Sequence, residues 1–281
     1  MNLVMTILAK DEDDILRANI EYHRSQGVDY FIAMDNASTD QTSDILKHYQ
    51  QQGILKYIYE DGPYHQTKWV TKMARMAYAE FNADWVINND ADEFWWPLNG
   101  NLKTALEQIP EKYQVVRAIR HNLLLCEEKS TAPFYKKMTY RRKISLNPVG
   151  KPLPPKVCHR GNPNIVVNPG NHHIRDINEE EIFNGALEIY HYPYRNLEQL
   201  KRKVKNIGEG YDKSCQINEE TGTGPGLATR VIYKQYQENP VSIDTFFAKN
   251  ILNHNQISIG LAIGELVKDK RLADYLSNLL G

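Results

Sequence analysis

Cysteine is scarce in this chain. Three residues out of 281, Cys126, Cys158 and Cys215, are odd in number, far apart and form no Cys-x-x-Cys pair. That excludes a zinc ribbon and a disulfide framework, and it fits reduced thiols in a cytoplasmic protein. Long apolar runs are missing too: no stretch approaches the ~20 residues needed to cross a bilayer. Neither sign of charge dominates. The net charge is -1, without the basic balance of bulk nucleic-acid binders. The apolar opening, residues 1–8, has no basic leader and runs directly into Lys10-Asp11-Glu12-Asp13-Asp14, so it reads as a first strand rather than a secretory signal. The expected location is cytoplasmic, at most peripheral at a membrane. No internal repeat stands out, and no Ser-His-Asp order or Cys-His pair points to a hydrolase. The glycine-rich stretch at residues 221–226 lacks the Gly-Lys-Ser/Thr ending of a phosphate loop and reads as an ordinary loop.

What the chain does have is regular alternation over its first hundred residues. Apolar runs at residues 4–8, 30–34, 54–59 and 85–89 have strand length, and each pair is separated by one helix-periodic segment. Gly27 and Gly53 stop the first two helices, and Trp69, Met73 and Phe81 share one face of the third. Strands joined through single helices need crossovers, which predicts a mostly parallel, Rossmann-like α/β sheet with helices on both faces. Ligands of such sheets bind beyond the carboxyl ends of the strands. The polar clusters at residues 9–12, 35–40 and 88–93 all follow strands, so all three are expected on one edge.

The second half is less regular. Residues 102–109 read as a helix ended by Pro110, residues 115–119 as a strand, and residues 186–190 as a strand leading into His191-Tyr192-Pro193-Tyr194-Arg195. Asn196 is placed to cap a helix, and the tail from residue 227 reads as helical with a break near Pro240. Residues 133–169 are rich in proline and in basic residues, Lys156 and Arg160 among them. They read as a solvated, twisted hairpin region rather than a phosphate-binding surface.

The sharpest signal is Asn88-Asn89-Asp90-Ala91-Asp92-Glu93-Phe94-Trp95, an apolar strand ending abruptly in acids. Asp90 and Asp92 are two apart, so in extended backbone both carboxylates would point to the same side. Such a pair suits a hard divalent cation that also holds phosphate oxygens, Mg2+ or Mn2+. An isolated Asp-x-Asp also marks turns and solvated strand ends, so its neighbours matter.

Three blocks together resemble the family 2-like glycosyltransferases of the GT-A fold, in particular the subgroup whose acidic motif reads Asp-x-Asp-Glu-Phe. They are Lys10-Asp11-Glu12 followed by His23-x-x-x-Gly27-Val28; Asp35-Asn36-Ala37-Ser38-Thr39-Asp40; and Asp90-Ala91-Asp92-Glu93-Phe94. A fourth, looser block is His191-Tyr192-Pro193-Tyr194-Arg195 with the downstream Lys201 and Lys205. Asn88-Asn89 departs from the pattern, where relatives often carry a further acid or an apolar residue. The resemblance implies a GT-A-like domain over residues 1–211, with a nucleotide-sugar half at 1–100 and an acceptor half at 101–211. Residues 212–281 would form a helical C-terminal extension.

It further implies a metal-dependent, inverting transfer from a nucleotide-diphosphate sugar, UDP-sugar favoured, to a glycan or lipid-linked acceptor. Asp90, Asp92 and His191 would hold the metal, with His172 and His173 competing for the histidine's place. Asp35 would accept the imide hydrogen of uracil, and Lys10 and Glu12 would line the same pocket. Lys201 and Lys205, one turn apart, would reach the diphosphate. Asp35 reads as the member of its loop least needed for folding, because Asn36, Ser38 and Asp40 serve the turn and cap. Asp11, Asp13 and Asp14 are explained as first-turn acids of a helix. Glu93 would orient a ligand from behind, Trp95 or Trp96 could stack on a sugar, and Gln66 and Lys68 could face the crevice. Glu127, Glu128, Asp176 and residues 179–181 are open candidates for the catalytic base. The rival readings are a sugar-1-phosphate nucleotidyltransferase and a non-catalytic nucleotide- or glycan-binding module.

Overall fold

The computed structural model describes residues 1–127, 131–147, 150–214 and 227–281. The elements run β1 (Leu3–Ala9), α1 (Asp13–Ser25), β2 (Tyr30–Asp35), α2 (Thr42–Gln51), β3 (Leu55–Tyr59), α3 (Gln66–Phe81), β4 (Trp85–Asp90), β5 (Glu93–Pro97), α4 (Leu102–Glu107) and β6 (Val115–Leu124). There follow α5 (Phe134–Lys137), β7 (Tyr140–Arg142), β8 (Lys156–Arg160) and β9 (Ile182–His191). The chain ends with α6 (Leu197–Ser214), α7 (Leu227–Glu238), α8 (Val241–Lys249), α9 (His254–Ala262), β10 (Leu266–Lys268) and α10 (Arg271–Leu280). Two compact units result. Unit 1 comprises residues 1–120 and 154–189, and unit 2 comprises residues 121–153 and 190–281. This division differs from the expected boundary at residue 211, because the chain passes between units three times.

In unit 1 the strands lie in the order β3-β2-β1-β4-β8-β6, the first four mutually parallel. Alternation along β1 sends Leu3, Met5 and Ile7 to one face, where Leu16 and Ile20 of α1 and Leu46 and Tyr49 of α2 cover them. Val4 faces the other side and packs with Trp69, Val70, Met73 and Ala77 of α3. Both faces are thus dry, as a parallel sheet requires. Gly27 stands at φ 92, the left-handed conformation that ends α1. The helix starts match less closely than the stops. Neither Ser38 nor Thr39 caps α2; it begins at Thr42, whose N–H bonds Asp40 Oδ1 at 2.9 Å.

β8 corrects the reading of residues 133–169 as solvated. It lies inside the sheet, antiparallel to both β4 and β6, and residues 156–159 are buried. Its short Lys-Val-Cys-His-Arg pattern sits among prolines and cations, which concealed a central strand.

Unit 2 has its own packing. Its part of β6 pairs with β7, and β7 with β10. Leu200 and Val204 of α6 pack with Ile232 and Tyr233 of α7 and Ile243 of α8. Asn196 caps α6 as expected, with its Oδ1 accepting the Gln199 N–H at 2.9 Å. α7 and α8 are separated at Asn239-Pro240. Among the described residues, no helix is long and apolar enough to cross a membrane.

Candidate functional site

β1 has β2 on one side and β4 on the other, so the chain changes direction of winding there. At such a switch point a crevice opens beyond the carboxyl ends of the strands. The register aligns the ends: Ala9 lies opposite Asp35, and Leu8 opposite Asp90. Asp35 and Asp90 therefore flank the end of β1, about 10 Å apart at two strand spacings. Lys10 follows β1 directly, and its Nζ donates to the Asn36 carbonyl at 3.0 Å.

Two acids in these loops have larger structural roles than expected. Asp11 is buried at φ 54; its Oδ1 accepts the Thr39 N–H at 2.6 Å, and its own N–H donates to Ser38 Oγ at 3.0 Å. It ties the β1 loop to the β2 loop, and only Asp13 and Asp14 are first-turn acids of α1. Asp35 is fully buried, with Oδ1 accepting the Ser38 N–H at 2.9 Å and Oδ2 the Tyr57 hydroxyl at 3.2 Å. The expectation that it is the least needed for folding is thus corrected. A carboxylate offers about four lone-pair sites, so acceptor capacity remains for a ligand. Glu12, half-buried, precedes α1, and its N–H donates to Thr42 Oγ1 at 2.9 Å.

The acidic motif also departs from its expected geometry. β4 ends at Asp90, Ala91 and Asp92 form a turn, and β5 begins at Glu93. The two carboxylates do not share an extended strand, so the rule that alternate residues face one way does not apply. Asn19 of α1 shapes the turn instead. Its Nδ2 donates to the carbonyls of Ala91 (2.9 Å) and Glu93 (2.8 Å), and its Oδ1 accepts Asn89 Nδ2 at 3.1 Å. Asn89 Oδ1 accepts the indole N–H of Trp95 at 3.0 Å. His23 completes the frame: its Nδ1 lies 2.9 Å from the Asn19 carbonyl, and its Nε2 accepts the Trp95 N–H at 3.1 Å. Burial holds the His23 pKa down at about 3, so the ring is neutral. Asn89 is therefore scaffold for the motif. Trp95 is fully buried and cannot stack on a sugar; Trp96 is half-buried and stacks on Tyr22.

Around the motif lies an ionic network that sequence reading missed. Lys156 Nζ pairs with Asp90 Oδ2 and lies 3.2 Å from Glu93 Oε2, while Arg120 Nη1 lies 3.0 Å from Glu93 Oε1. The Lys156 and Glu93 side chains are essentially inaccessible to solvent. Burial pushes the Asp90 carboxyl up, but the Lys156 ammonium against it outweighs that and leaves it below the ordinary range. Asp92, also buried, lies in the turn beside this network. The one usable signal for Lys156 was its place immediately before the apolar pair Val157-Cys158.

The loop after β8 also reaches this edge. Asn171 Nδ2 lies 3.3 Å from Asp90 Oδ1, and Gln66 Oε1 accepts the Gly170 N–H at 3.0 Å. His172 bonds the Pro155 carbonyl through Nδ1 at 2.7 Å, which puts the proton there and makes Nε2 an acceptor. Burial, then the charge of Lys156, lowers its pKa to about 4, so the imidazole is neutral. Gly170 stands at φ 73, and a Cβ there would lie 2.5 Å from His172 Nε2. His173 and Lys68 are exposed.

Three buried polar atoms here, Asn88 Nδ2, Asn171 Oδ1 and Arg120 Nε, have no hydrogen-bond partner among the described residues. Their concentration on one edge marks a place built for a polar ligand. Among the described residues, no three His, Cys, Asp or Glu side chains converge as a metal cage. The donor set still suits Mg2+ or Mn2+, which take one or two protein carboxylates and complete their shell with phosphates and water.

His191, Lys201 and Lys205 lie in unit 2. His191 Nδ1 is 2.7 Å from Asn122 Oδ1. Lys201 is ion-paired to Asp244 at 3.2 Å and to Glu198 at 3.6 Å, and Lys205 lies 4.0 Å from Glu209. Of the open candidates for the base, Glu179 pairs with Arg117 at 2.7 Å, and Glu181 closes a capping box with Asn178. Glu127 is exposed in unit 2. Glu128, Cys215 and residues 221–226 lie outside the described residues.

A parallel sheet with a switch point is an architecture that binds ligands beyond its strand ends. Residues 5–251 match the description of glycosyltransferase family 92, and the chain belongs to that family. The protein is a glycosyltransferase; the family is 92, where the motifs had suggested a family 2-like subgroup. No curated protein matches the chain. Among solved structures, S. aureus TarS 1-349 is similar at 15% identity and TM-score 0.43, over 86% of this chain and 74% of that one. The same fragment in complex with UDP-GlcNAc is similar at 14% identity and TM-score 0.42, over 86% and 75%. GalNAc-T7 with UDP, GalNAc and Mn2+ is similar at 12% identity and TM-score 0.43, over 75% and 49%.

Proposed function

We propose that this glycosyltransferase moves a sugar from a nucleotide-diphosphate donor, preferentially a UDP-sugar, with the donor in the crevice beyond β1, β2 and β4. One observation carries the reading: the strand register brings Lys10, Asp35 and Asp90 to one edge, where three buried polar atoms have no hydrogen-bond partner among the described residues. Asp35 would accept the imide hydrogen of the base, with Lys10 and Glu12 beside it. Asp92 and Asp90 would supply oxygen ligands to a divalent ion, with His172 or His191 as the imidazole. Such an ion would neutralise the charge that grows on the departing diphosphate.

The chain's own residues prepare that place. Lys156 and Arg120 hold Glu93 and Asp90 at fixed positions, so the site need not reorganise as charge develops. Asn19, Asn89 and His23 lock the Asp92 turn. Lys201 and Lys205, expected to reach the diphosphate, are engaged with carboxylates of their own unit and would have to exchange them. The free, buried thiol of Cys158 agrees with a reducing, cytoplasmic location.

The test is Asp92→Asn, which keeps shape but removes charge. UDP-sugar turnover with Mn2+ should fall at least ~10²-fold, the scale for losing a principal electrostatic stabiliser. The melting temperature without ligand should stay level. Full turnover in the variant would remove Asp92 from the site, and a wild-type chain that binds UDP without consuming any UDP-sugar would contradict the donor assignment.

A further inference from the structure

Helix α9 packs onto unit 2 by its smallest residue and turns large apolar ones outward. Gly260 is buried against Leu266, where a Cβ would lie 2.6 Å from that side chain, and Ile257 joins Leu252 and Leu266 in a small core. Ile259 and Ile263, one turn apart, are 61% and 68% exposed, and Leu261 between them is 40% exposed. Ile144, at 65%, emerges beside the end of the helix, because the N–H of the preceding Lys143 donates to the Glu265 carbonyl at 3.0 Å. A helix that faces water normally carries charge on its outer side. Residues 250–264 contain no Asp, Glu, Lys or Arg.

Cations surround this uncharged helix. A cleft of about 250 Å3 beside it is lined by His254 and Ser258 of α9 and by Lys136, Lys137, Lys268 and Lys270. Glu127 is the one acid of that wall among the described residues. Lys143 Nζ lies against Gly264, just past the end of α9. Lys137, Lys143 and Lys270 form no ion pair among the described residues. The bias extends to the whole unit. Unit 2 carries seven more Lys and Arg than Asp and Glu, and unit 1 eight fewer, which together give the chain's net charge of -1. Near-neutrality thus conceals a basic unit and an acidic one, an asymmetry typical of chains that meet an anionic surface.

The chemistry of the patch selects its partner. A second copy docking about a two-fold axis would bring the same lysines face to face. Protein interfaces are built on aromatic residues and Arg and are poor in Lys, whereas this patch is isoleucine, leucine and lysine. A nucleic acid would satisfy the lysines and leave the isoleucines wet. An anionic bilayer satisfies both, because its headgroup boundary accepts apolar side chains while its phosphates face the cations.

We infer that unit 2 docks on an anionic phospholipid surface through α9. Ile144, Ile259 and Ile263 enter the boundary between headgroups and acyl chains, and Lys143, Lys270 and the other lysines of the cleft meet lipid phosphates. This surface is separate from the proposed donor crevice of unit 1 and does not depend on it.

Co-sedimentation of the full chain with vesicles of phosphatidylcholine containing about one third phosphatidylglycerol tests the inference. Binding should be saturable, at least ten-fold stronger than to phosphatidylcholine alone, and weakened in ~0.5 M salt. Lys143→Gln with Lys270→Gln should weaken it at least ten-fold, the scale for two cations near an anionic leaflet. Ile259→Ser with Ile263→Ser should do the same. All four side chains are exposed, so the melting temperature and UDP binding of both variants should match the wild type. UDP binding on the same samples reports the donor site separately. Sedimentation velocity without lipid should show a monomer; a dimer abolished by the isoleucine variant would overturn the inference in favour of a second copy. Equal binding to both kinds of vesicle, binding to neither, or full binding by the isoleucine variant would overturn the lipid surface itself.

Discussion

The ammonium of Lys156 lies against the carboxylate of Asp90, joining the antiparallel strand β8 to the end of the parallel strand β4. Through the same ammonium, Glu93 is drawn into the contact at 3.2 Å. The acidic motif is therefore neutralised from behind by a side chain sixty-six residues away in sequence. With Asp90, Asp92 and Glu93 so close together, their mutual repulsion would otherwise open the turn.

Lys156→Met tests this relationship. It leaves Glu93 buried with Arg120 as its only cation among the described residues and Asp90 beside a second acid. The loss of one partner of the buried Lys156–Glu93 pair should cost about 3–5 kcal/mol in unfolding free energy at neutral pH. The pH dependence gives the sign. Asp90's folded pKa lies below its unfolded value, so its contribution is present above the unfolded pKa near 4 and is lost as pH falls through the folded one. Wild-type stability should thus decline on acidification below about pH 4, and the variant should lack that component. Urea denaturation of both proteins between pH 3 and 7 measures it.

The imidazole that joins Asp92 at an ion can be identified by a pair of variants. His172 lies in unit 1 with its proton committed to Pro155, the tautomer a metal ligand needs at Nε2. His172→Ala should weaken the Mn2+ dependence of UDP binding at least ten-fold, about 1.4 kcal/mol, while His191→Ala should leave it unchanged. The reverse result would move the ligand to His191. Titration of Mn2+ at fixed UDP is the measurement.

His23 should make the protein acid-sensitive in a window of its own. Its pKa is lowered to about 3 by burial, while the unfolded chain takes up the proton near 6.5. Unfolding is therefore favoured as pH drops below about 6.5, by up to about 1.4 kcal/mol per pH unit, until the folded ring itself titrates. The buried His159, with a pKa of about 4, adds to the slope above that value. His23→Gln should flatten the stability profile between pH 6 and 4. An unchanged slope would mean that His23 is not held neutral by this frame.

Sequence alone determined the parallel core of unit 1 and the edge on which its site lies. The four strands, the separating helices and the stops at Gly27 and Gly53 are local patterns, and period and punctuation are printed residue by residue in the chain. Once the strands are parallel, polar clusters that follow them must share an edge, so Lys10, Asp35 and Asp90 could be grouped without coordinates. Tertiary structure decided what those residues touch. Asp35 looked dispensable, and Asp11 looked like a first-turn acid, because their partners, Tyr57 and Thr39, come from the following strand and loop. The Asp90–Asp92 geometry depends on Asn19 and His23, some seventy residues earlier. Lys156 was hidden in a basic, proline-rich run because burial is a property of the neighbours and not of the residue: the same lysine is solvated on a hairpin and a buried counter-ion inside a sheet.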